Sequence, residues 1–374
     1  MTVVIAAGGT GGHLYPAVAL AREFLRRDPS TKILFVGTRR GIESKVLAHE
    51  GFELVCITAK PVMGKRPLAV VEGLVSVPIG LWQSWGILRR HHADVVIGVG
   101  GYTSPTMLAA AALRGTVRVI VEPNAYPGMA NKVVAPFAQR IFLAFDSAAE
   151  FFDRLKVRVV GTPIRREFME PAGQGETTPI PSAPRLLIFG GSQGATAINR
   201  AVLDGLTMLI ERVPNVAITH QTGETDYGHV REAYDRLGVS AEVVPFLYDM
   251  PKVLRAADLV VARAGAMTIA ELAACGKPAI LIPLPTAIYD HQTKNARAME
   301  AAGGAIVLPQ TELTGEALIE LISTIVLNPS RLRAMSAKSR EMRRVDAGEV
   351  IVRECYALMR GAHDSHRPVG ATGA

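Results

Sequence analysis

The sequence predicts an α/β chain of two doubly wound parallel-sheet domains that face a central cleft. Three observations predict this fold class. Short, continuous apolar runs alternate with amphipathic stretches in both halves, the pattern of strands covered on both faces by crossover helices. Each half opens with a strand, a glycine loop and a helix: Thr2–Ala7 runs into Gly8-Gly9-Thr10-Gly11-Gly12, and Arg185–Phe189 into Gly190-Gly191-Ser192-Gln193-Gly194. Residues 171–184 between the halves are rich in proline, glycine and small polar residues, the composition of a linker.

In the first half the expected strands are Thr2–Ala7, Ile33–Val36, Leu54–Ile57, Asp94–Val99, Val117–Val121, Arg140–Leu143 and Val157–Val160. Helices are expected over Pro16–Arg27, Ile42–Glu50 and Thr106–Leu113. In the second half Arg185–Phe189, Val216–His220, Glu242–Val244, Leu259–Ala262 and Ala279–Pro283 read as strands. The boundaries predicted are a first domain over 1–162, a linker over 163–184 and a second domain over 185–345. A last helix near 346–361 packs back on the first domain, and 362–374 form a disordered tail.

Composition narrows the class. The 374 residues are 49% hydrophobic and 20% charged, enough to build two cores and too apolar for disorder. Cys56, Cys275 and Cys355 are odd in number and far apart, which suits a reducing compartment and no disulfide framework. Met1–Ile5 leads straight into the glycine loop, so the start reads as a first strand and not a signal peptide. Residues 1–165 hold 20 Lys/Arg against 11 Asp/Glu, a net +9, out of +7 for the whole chain. A basic first half points to an anionic partner.

The glycine loops carry the chemistry. Four glycines within Gly8–Gly12 exceed what a strand-to-helix turn needs, and the free N–H groups of a helix start favour anions. Pro16 is expected in the first turn, where its missing N–H costs nothing. Gly190–Ala195 repeats the pattern, with Ser192 able to donate to a phosphate oxygen or to cap the helix. A third loop, Gly98–Ser104, also follows a strand. None has the G-x-G-x-x-G or Walker spacing, which disfavours nicotinamide and P-loop chemistry. No Asp-x-Asp pair occurs and no histidine cluster has metal-ligand spacing, so no metal and no cofactor is expected.

Arg263–Glu271 follows the strand Leu259–Ala262. A helix starting near Ala266 and stopped by Gly276 and Pro278 points its N-terminus at a diphosphate. Glu271, about one and a half turns in, can accept hydrogen bonds from a ribose diol. Arg263 supplies charge or braces the loop. In the polar loop Tyr289–Asn295, Gln292 is the side chain expected at sugar hydroxyls, and His291 and Asn295 serve there or in structure.

These motifs together resemble the MurG family of undecaprenyldiphospho-muramoylpentapeptide β-N-acetylglucosaminyltransferases. The resemblance runs from Val3 to about Leu358. It rests on GGTGGHLYPA at 8–17, GVGGYTS at 98–104, VEPNAYPG at 121–128, GTPIR at 161–165, GGSQGA at 190–195, RAGAMTIAE at 263–271 and DHQTKNA at 290–296. It implies a GT-B fold of two Rossmann-like domains and transfer of GlcNAc from UDP-GlcNAc to lipid I with inversion, giving lipid II. Carried over residue by residue, Thr10, Gly11 and Gly12 meet donor and acceptor. Asn124, Arg165, Ser192, Leu247, Gln292 and the segment Ala266, Met267, Thr268, Ile269, Ala270 and Glu271 bind the donor, Leu247 through its backbone. The family's His-Glu-Gln-Asn stands here as Val121-Glu122-Pro123-Asn124, so any role for that histidine falls elsewhere. A direct displacement needs a base. His13 is the candidate, since imidazole holds a proton near neutral pH, and Glu122 is the rival.

Residues 67–88 carry one charge, Glu72, and both tryptophans. Pro67, Gly73, Pro78, Gly80 and Gly86 are expected to break the stretch. An ordinary core helix is the alternative to a surface patch in which Leu74, Leu81, Trp82 and Trp85 enter the lipid interface while flanking Lys and Arg meet anionic headgroups. The expected partners are therefore UDP-GlcNAc, undecaprenyl-linked lipid I and an anionic membrane surface at the cytoplasmic face of the inner membrane. Nucleic acid is not expected, because the basic residues flank an apolar run and are not interleaved with stacking aromatics. Another lipid-acceptor glycosyltransferase and a UDP-GlcNAc 2-epimerase are the rival enzymes.

Overall fold

The computed structural model describes residues 1–8, 11–38, 43–59, 67–169, 183–191, 193–344 and 346–365. The chain divides into two compact units, residues 1–164 with 345–374, and residues 165–344.

The first unit contains β1 (Thr2–Ala7), α1 (Gly11–Arg27), β2 (Lys32–Gly37), α2 (Glu43–Glu50), β3 (Glu53–Cys56), α3 (Pro67–Arg90), β4 (Val95–Gly100), α4 (Ser104–Arg114), β5 (Val117–Glu122), α5 (Met129–Val134), β6 (Arg140–Leu143) and β7 (Val157–Val159). All seven strands are parallel, in the order β3-β2-β1-β4-β5-β6-β7. Strand alternation divides the apolar runs between two cores. Val3, Ile5, Val95, Ile97, Val119 and Phe142 face one side with Leu14, Val18 and Phe24 of α1. Val4, Ala6, Val96, Ile120, Ile141 and Leu143 face the other with Met107, Leu108 and Ala111 of α4. Both faces are covered, which is why these strands read as unbroken apolar runs.

Two helices differ from expectation. α1 begins at Gly11, so Pro16 lies inside it and not in its first turn. The proline has no N–H to give the Gly12 carbonyl. α3 is one helix of 24 residues, unbroken by its glycines and by Pro78. Its inward face is made of small residues: Ser76, Gly80 and Ser84 are buried, at a spacing of four that lines one side of a helix. They let α3 lie close on its neighbours; a Cβ at Gly80 would stand 2.8 Å from the Thr58 carbonyl oxygen and 3.2 Å from Thr106 Cγ2. Ile87 and Leu88 complete the inward face near the end of the helix, while Trp82, 77% exposed, and Trp85, 38% exposed, point outward beside exposed Val77 and Ile79. Leu81 differs from the expected patch. It turns partly inward onto the α4 side core. The Leu74 side chain lies outside the described residues, as do Lys60, Lys65 and Arg66. Among the described residues, no helix is long and apolar enough to cross a membrane.

The second unit contains β8 (Arg185–Phe189), α6 (Thr196–Arg212), β9 (Ala217–Gln221), α7 (Tyr227–Arg236), β10 (Ala241–Val244), α8 (Met250–Ala256), β11 (Leu259–Ala262), α9 (Ala266–Cys275), β12 (Ala279–Leu281), α10 (His291–Ala301), β13 (Ala305–Val307), α11 (Gly315–Val326) and α12 (Pro329–Glu341). Its six parallel strands run β10-β9-β8-β11-β12-β13. β13 adds an edge strand that the sequence reading lacks; three residues between Gly304 and Leu308 are too few to show a period. The expected linker begins too early. Arg165–Met169 pack on this unit: Phe168 is buried, Arg343 Nη2 donates to the Met169 carbonyl at 2.8 Å, and Arg255 donates to the Glu167 carbonyl. Residues 170–182 lie outside the described residues.

The last helix, α13 (Ala347–Ser365), returns to the first unit. Ala347, Ile351, Val352, Cys355 and Met359 join the α1 side core. Tyr356 lies 6.3 Å from the Phe24 ring, with the Arg27 guanidinium 4.7 Å above it. The helix extends to Ser365, four residues into the stretch expected as tail; 366–374 lie outside the described residues.

Candidate active site

In an open parallel sheet, ligands gather at the carboxyl ends of the strands where the strand order reverses. In the first unit that point lies between β1 and β4, the strands followed by the first and third glycine loops. The two loops lock together. Ser104 Oγ lies 3.0 Å from the Ala6 carbonyl oxygen and 2.8 Å from that of Gly100, and accepts from the Gly100 N–H at 3.1 Å. Thr103 Oγ1 donates to the Val36 carbonyl at 3.3 Å. Gly101 has φ +80°, and a Cβ there would run into the Gly8 carbonyl, so two features together demand glycine.

The His13 ring lies against this floor. A Cβ on Gly100 would come within 2.8 Å of both Nδ1 and Cε1 of His13, so the missing side chain makes room for the imidazole. Thr10 lies outside the described residues; Gly11 and Gly12 form the start of α1.

Glu122 ends β5 and is fully buried. Its Oε1 accepts from the Asn124 N–H at 3.0 Å and from Asn124 Nδ2 at 3.1 Å. Its Oε2 accepts from the Gly128 N–H at 3.0 Å and from Asn131 Nδ2 at 2.9 Å. Burial raises its pKa, and the four donors offset part of that rise. A carboxylate bound on both oxygens fixes the 124–131 loop and has no free lone pair aimed at a substrate. Asn124 is held by the same contacts.

In the second unit the reversal lies between β8 and β11, the strands followed by Gly190–Gly194 and Arg263–Glu271. α9 is capped by Gly265, and the first turn closes with the Ile269 N–H on the Gly265 carbonyl at 3.0 Å. The N–H groups of Ala266, Met267 and Thr268 precede that bond and have no intrahelical partner, which leaves a positive end for an anion. Met267, Thr268, Ala270 and Glu271 are part-exposed, whereas Ala266 and Ile269 are buried. The Ile269 side chain lies in the core and its N–H closes the first turn of the helix.

Glu271 sits deep enough that burial pushes its carboxyl up to about 7, with the Arg165 charge pulling it down by less. The Arg165 guanidinium lies 5.1 Å from the Phe168 ring centroid. Arg263 braces the loop: Nη1 donates to the Ile282 and Pro283 carbonyls, each at 3.1 Å, and Nη2 to Gln310 Oε1 at 2.7 Å. Buried Asn295 donates to the Ala264 carbonyl at 3.3 Å. Gln292 Oε1 accepts from the Leu284 N–H at 3.0 Å, so its Nε2 is the end left to meet a sugar. Leu247 lies beyond β10 between Phe246 and Tyr248, whose rings meet at 5.1 Å. Among the described residues, neither backbone group of Leu247 is bonded within the protein.

Ser192 lies outside the described residues, but the loop around it is positioned by neighbours the sequence reading passed over. Gly194 and Gly223 have φ +74° and +80°, and a Cβ on either would strike the other's loop, at the Thr222 and Gln193 carbonyls respectively. The only sequence signal for Gly223 is a glycine just after the strand Ala217–Gln221. Among the described residues, no group of three His, Cys, Asp or Glu is placed to hold a metal ion.

Comparison with known proteins places this architecture. Residues 3–143 match the glycosyltransferase family 28 N-terminal domain and residues 185–351 its C-terminal domain. A UDP-N-acetylglucosamine--N-acetylmuramyl-(pentapeptide) pyrophosphoryl-undecaprenol N-acetylglucosamine transferase of Syntrophus aciditrophicus is 45% identical over 96% of this chain and 99% of its own length. The chain belongs to the MurG family. A Geobacter sulfurreducens protein of the same name is 43% identical over 96% of this chain and 99% of its own length. The crystal structure of Acinetobacter baumannii MurG matches with a TM-score of 0.75 at 28% identity, covering 95% of this chain and 99% of that one. The fold is thus GT-B, two Rossmann-like parallel-sheet domains. A Neisseria meningitidis UDP-GlcNAc 2-epimerase shares this fold at 13% identity and a TM-score of 0.65, covering 96% of this chain and all of that one, which speaks to fold alone.

Proposed function

We propose that this chain is an inverting N-acetylglucosaminyltransferase that moves GlcNAc from UDP-GlcNAc to the C4 hydroxyl of the muramoyl unit of lipid I, forming lipid II for peptidoglycan. Near full-length identity of 45% to a transferase named for that reaction carries the reading. The two glycine-lined reversal points support it from the fold side.

In this reading the second unit holds the donor. The uracil meets the Leu247 backbone, the ribose diol donates to Glu271, and the diphosphate lies at the α9 start with Ser192 and Arg165. Gln292 Nε2 donates to a GlcNAc hydroxyl. In the first unit Thr10, Gly11 and Gly12 meet donor and acceptor, and Asn124 contacts the donor. His13 removes the proton as the C4 oxygen attacks C1 of GlcNAc. The bond from C1 to the phosphate oxygen breaks, its electron pair leaves with UDP, and the sugar inverts from α to β. The α9 N-terminus and Arg165 offset the charge that builds on UDP. Glu122 holds the loop that carries Asn124.

The outward face of α3 is the membrane contact: Trp82, Trp85, Val77 and Ile79 enter the interface, and Arg89 and Arg90 meet anionic headgroups at the cytoplasmic face of the inner membrane. That placement fits an acceptor whose lipid tail stays in the bilayer.

The test is incubation of purified protein with radiolabelled UDP-GlcNAc and lipid I in detergent without added divalent metal, followed by lipid extraction. β-Linked label in the lipid phase is the expected result. Label left in intact UDP-GlcNAc would overturn the acceptor or the donor, and free UDP with an epimerised sugar would replace transfer by epimerisation.

A further inference from the structure

Beneath the loop assigned to the donor diphosphate lies a buried polar chain that the proposed chemistry leaves unused. His220 on β9 and Asn199 in the first turns of α6 are buried, with Tyr234 of α7 behind them. His220 Nε2 is 3.1 Å from Asn199 Oδ1, and Nδ1 is 3.2 Å from the Tyr234 hydroxyl. Asn199 Nδ2 donates to the Thr222 carbonyl at 2.9 Å and to Asp226 Oδ2 at 2.8 Å.

Only one proton arrangement satisfies this chain. An amide oxygen can only accept, so Nε2 of His220 carries the hydrogen. Nδ1 is then bare and accepts from the tyrosine hydroxyl. Burial pushes the His220 imidazole down to about 4, which keeps it in that neutral form. Every donor points the same way, from Tyr234 through His220 and Asn199 to the Asp226 carboxylate, and such aligned bonds reinforce one another. A buried site that served packing alone would be filled more cheaply by apolar side chains.

The chain ends on the backbone that supports the donor loops. Thr222 supplies the carbonyl against which Gly194 is pressed, and Gly223 is pressed in turn against Gln193. The Thr222 N–H donates to the Val244 carbonyl at 3.0 Å, and Gln221 Nε2 to that of Pro245 at 3.0 Å. Thr222 therefore sits between the diphosphate loop and the strand end that leads into Leu247.

We propose that Asn199, oriented by His220, is a positioning residue that sets the spacing between the diphosphate-binding and uracil-binding parts of the donor site. The proposal rests on the second unit being the donor-binding half. It touches neither acceptor nor base, so it predicts a change in donor affinity and little else.

The experiment compares Asn199→Ala, His220→Leu and His220→Gln with the wild type. UDP affinity is read by titration calorimetry, and KM for UDP-GlcNAc, KM for lipid I and kcat by transfer. A glutamine amide reaches the place of the imidazole Nε2–H and can donate to Asn199 Oδ1; leucine cannot. Asn199→Ala and His220→Leu should raise the UDP Kd and the donor KM at least about tenfold, comparable to loss of one buried hydrogen bond's positioning, with lipid I KM within about twofold. His220→Gln should return within about threefold of wild type. Wild-type UDP affinity in both Asn199→Ala and His220→Leu, equal rises in donor and acceptor KM, or His220→Gln no better than His220→Leu would each overturn the proposal. If Asn199→Ala does not fold, the two His220 variants decide. Wild-type protein that binds UDP but glycosylates no lipid I would overturn the acceptor assignment, and a UDP loss shared by Asn199→Ala and His220→Leu and relieved in His220→Gln would still support this positioning role.

Discussion

At pH 8, Glu271→Gln should make the protein more stable while weakening its hold on UDP. Burial lifts the Glu271 carboxyl from 4.5 to about 7. Each pH unit of that rise is worth about 1.4 kcal/mol. The folded state binds this proton more tightly than the unfolded chain does, so the stabilising contribution is full below pH 4.5 and is lost as pH rises through about 7. At pH 8 the ionised group costs about 3 kcal/mol, and partial exposure of the side chain trims this to roughly 2–3 kcal/mol. Glutamine carries no charge and avoids the penalty. For a unit of this size the gain corresponds to a Tm rise of roughly 4–12 °C. At pH 5 the difference should shrink below about 1 kcal/mol. The binding cost has the opposite sign: a ribose diol loses charge-assisted hydrogen bonds worth roughly 1.5–3 kcal/mol, a fall in UDP affinity of about tenfold or more. Thermal melts at pH 5 and pH 8, with calorimetric UDP titrations at pH 8, measure both. A Tm gain equal at the two pH values, or none at pH 8, would refute the electrostatic reasoning. An unchanged UDP affinity would refute the ribose role.

Wild-type UDP binding should itself weaken by up to tenfold per unit as pH falls below about 7, a slope that Glu271→Gln removes; isothermal titrations across pH 5.5–8 check this. His13→Ala should lower kcat by roughly 10²–10⁴ with UDP affinity unchanged, read by transfer kinetics, and turnover near wild type would sink the base assignment. Glu122→Gln turns an amide NH2 toward N–H donors and should destabilise the first unit by about 2 kcal/mol or more, visible in chemical denaturation. Trp82→Ser with Trp85→Ser should reduce binding to anionic liposomes by about tenfold or more while leaving transfer to detergent-solubilised lipid I within about threefold; sedimentation with vesicles and the detergent assay separate the two effects.

The sequence carried most of the frame because burial on two faces writes itself as continuous apolar runs. All seven strands of the first unit lie where such runs occur, and the two order reversals fall at glycine loops that were visible as composition. What escaped was of three kinds. β13 was too short to show a period. α3 looked broken because Gly80 and its neighbours resemble punctuation, whereas in the structure they are the surface on which the helix packs. The chain from Tyr234 through His220 to Asn199 joins residues 14 and 21 apart, and no local pattern announces a contact between a strand, the helix before it and the helix after it.

The return of α13 to the first unit has a consequence for synthesis. The core built by β1, β4, β5 and α1 is closed by Ala347, Ile351, Val352, Cys355 and Met359, which leave the ribosome only after the whole second unit has been made. The first unit to be translated is thus the last to be completed. Until the final helix arrives, Phe24 and its neighbours on α1 lack their cover, and a nascent chain of this order exposes apolar surface that chaperones would meet. A pause before α13 emerges should hold an unfinished first unit while the second is finished, so the synthesis of α13 controls when the first unit's fold becomes complete.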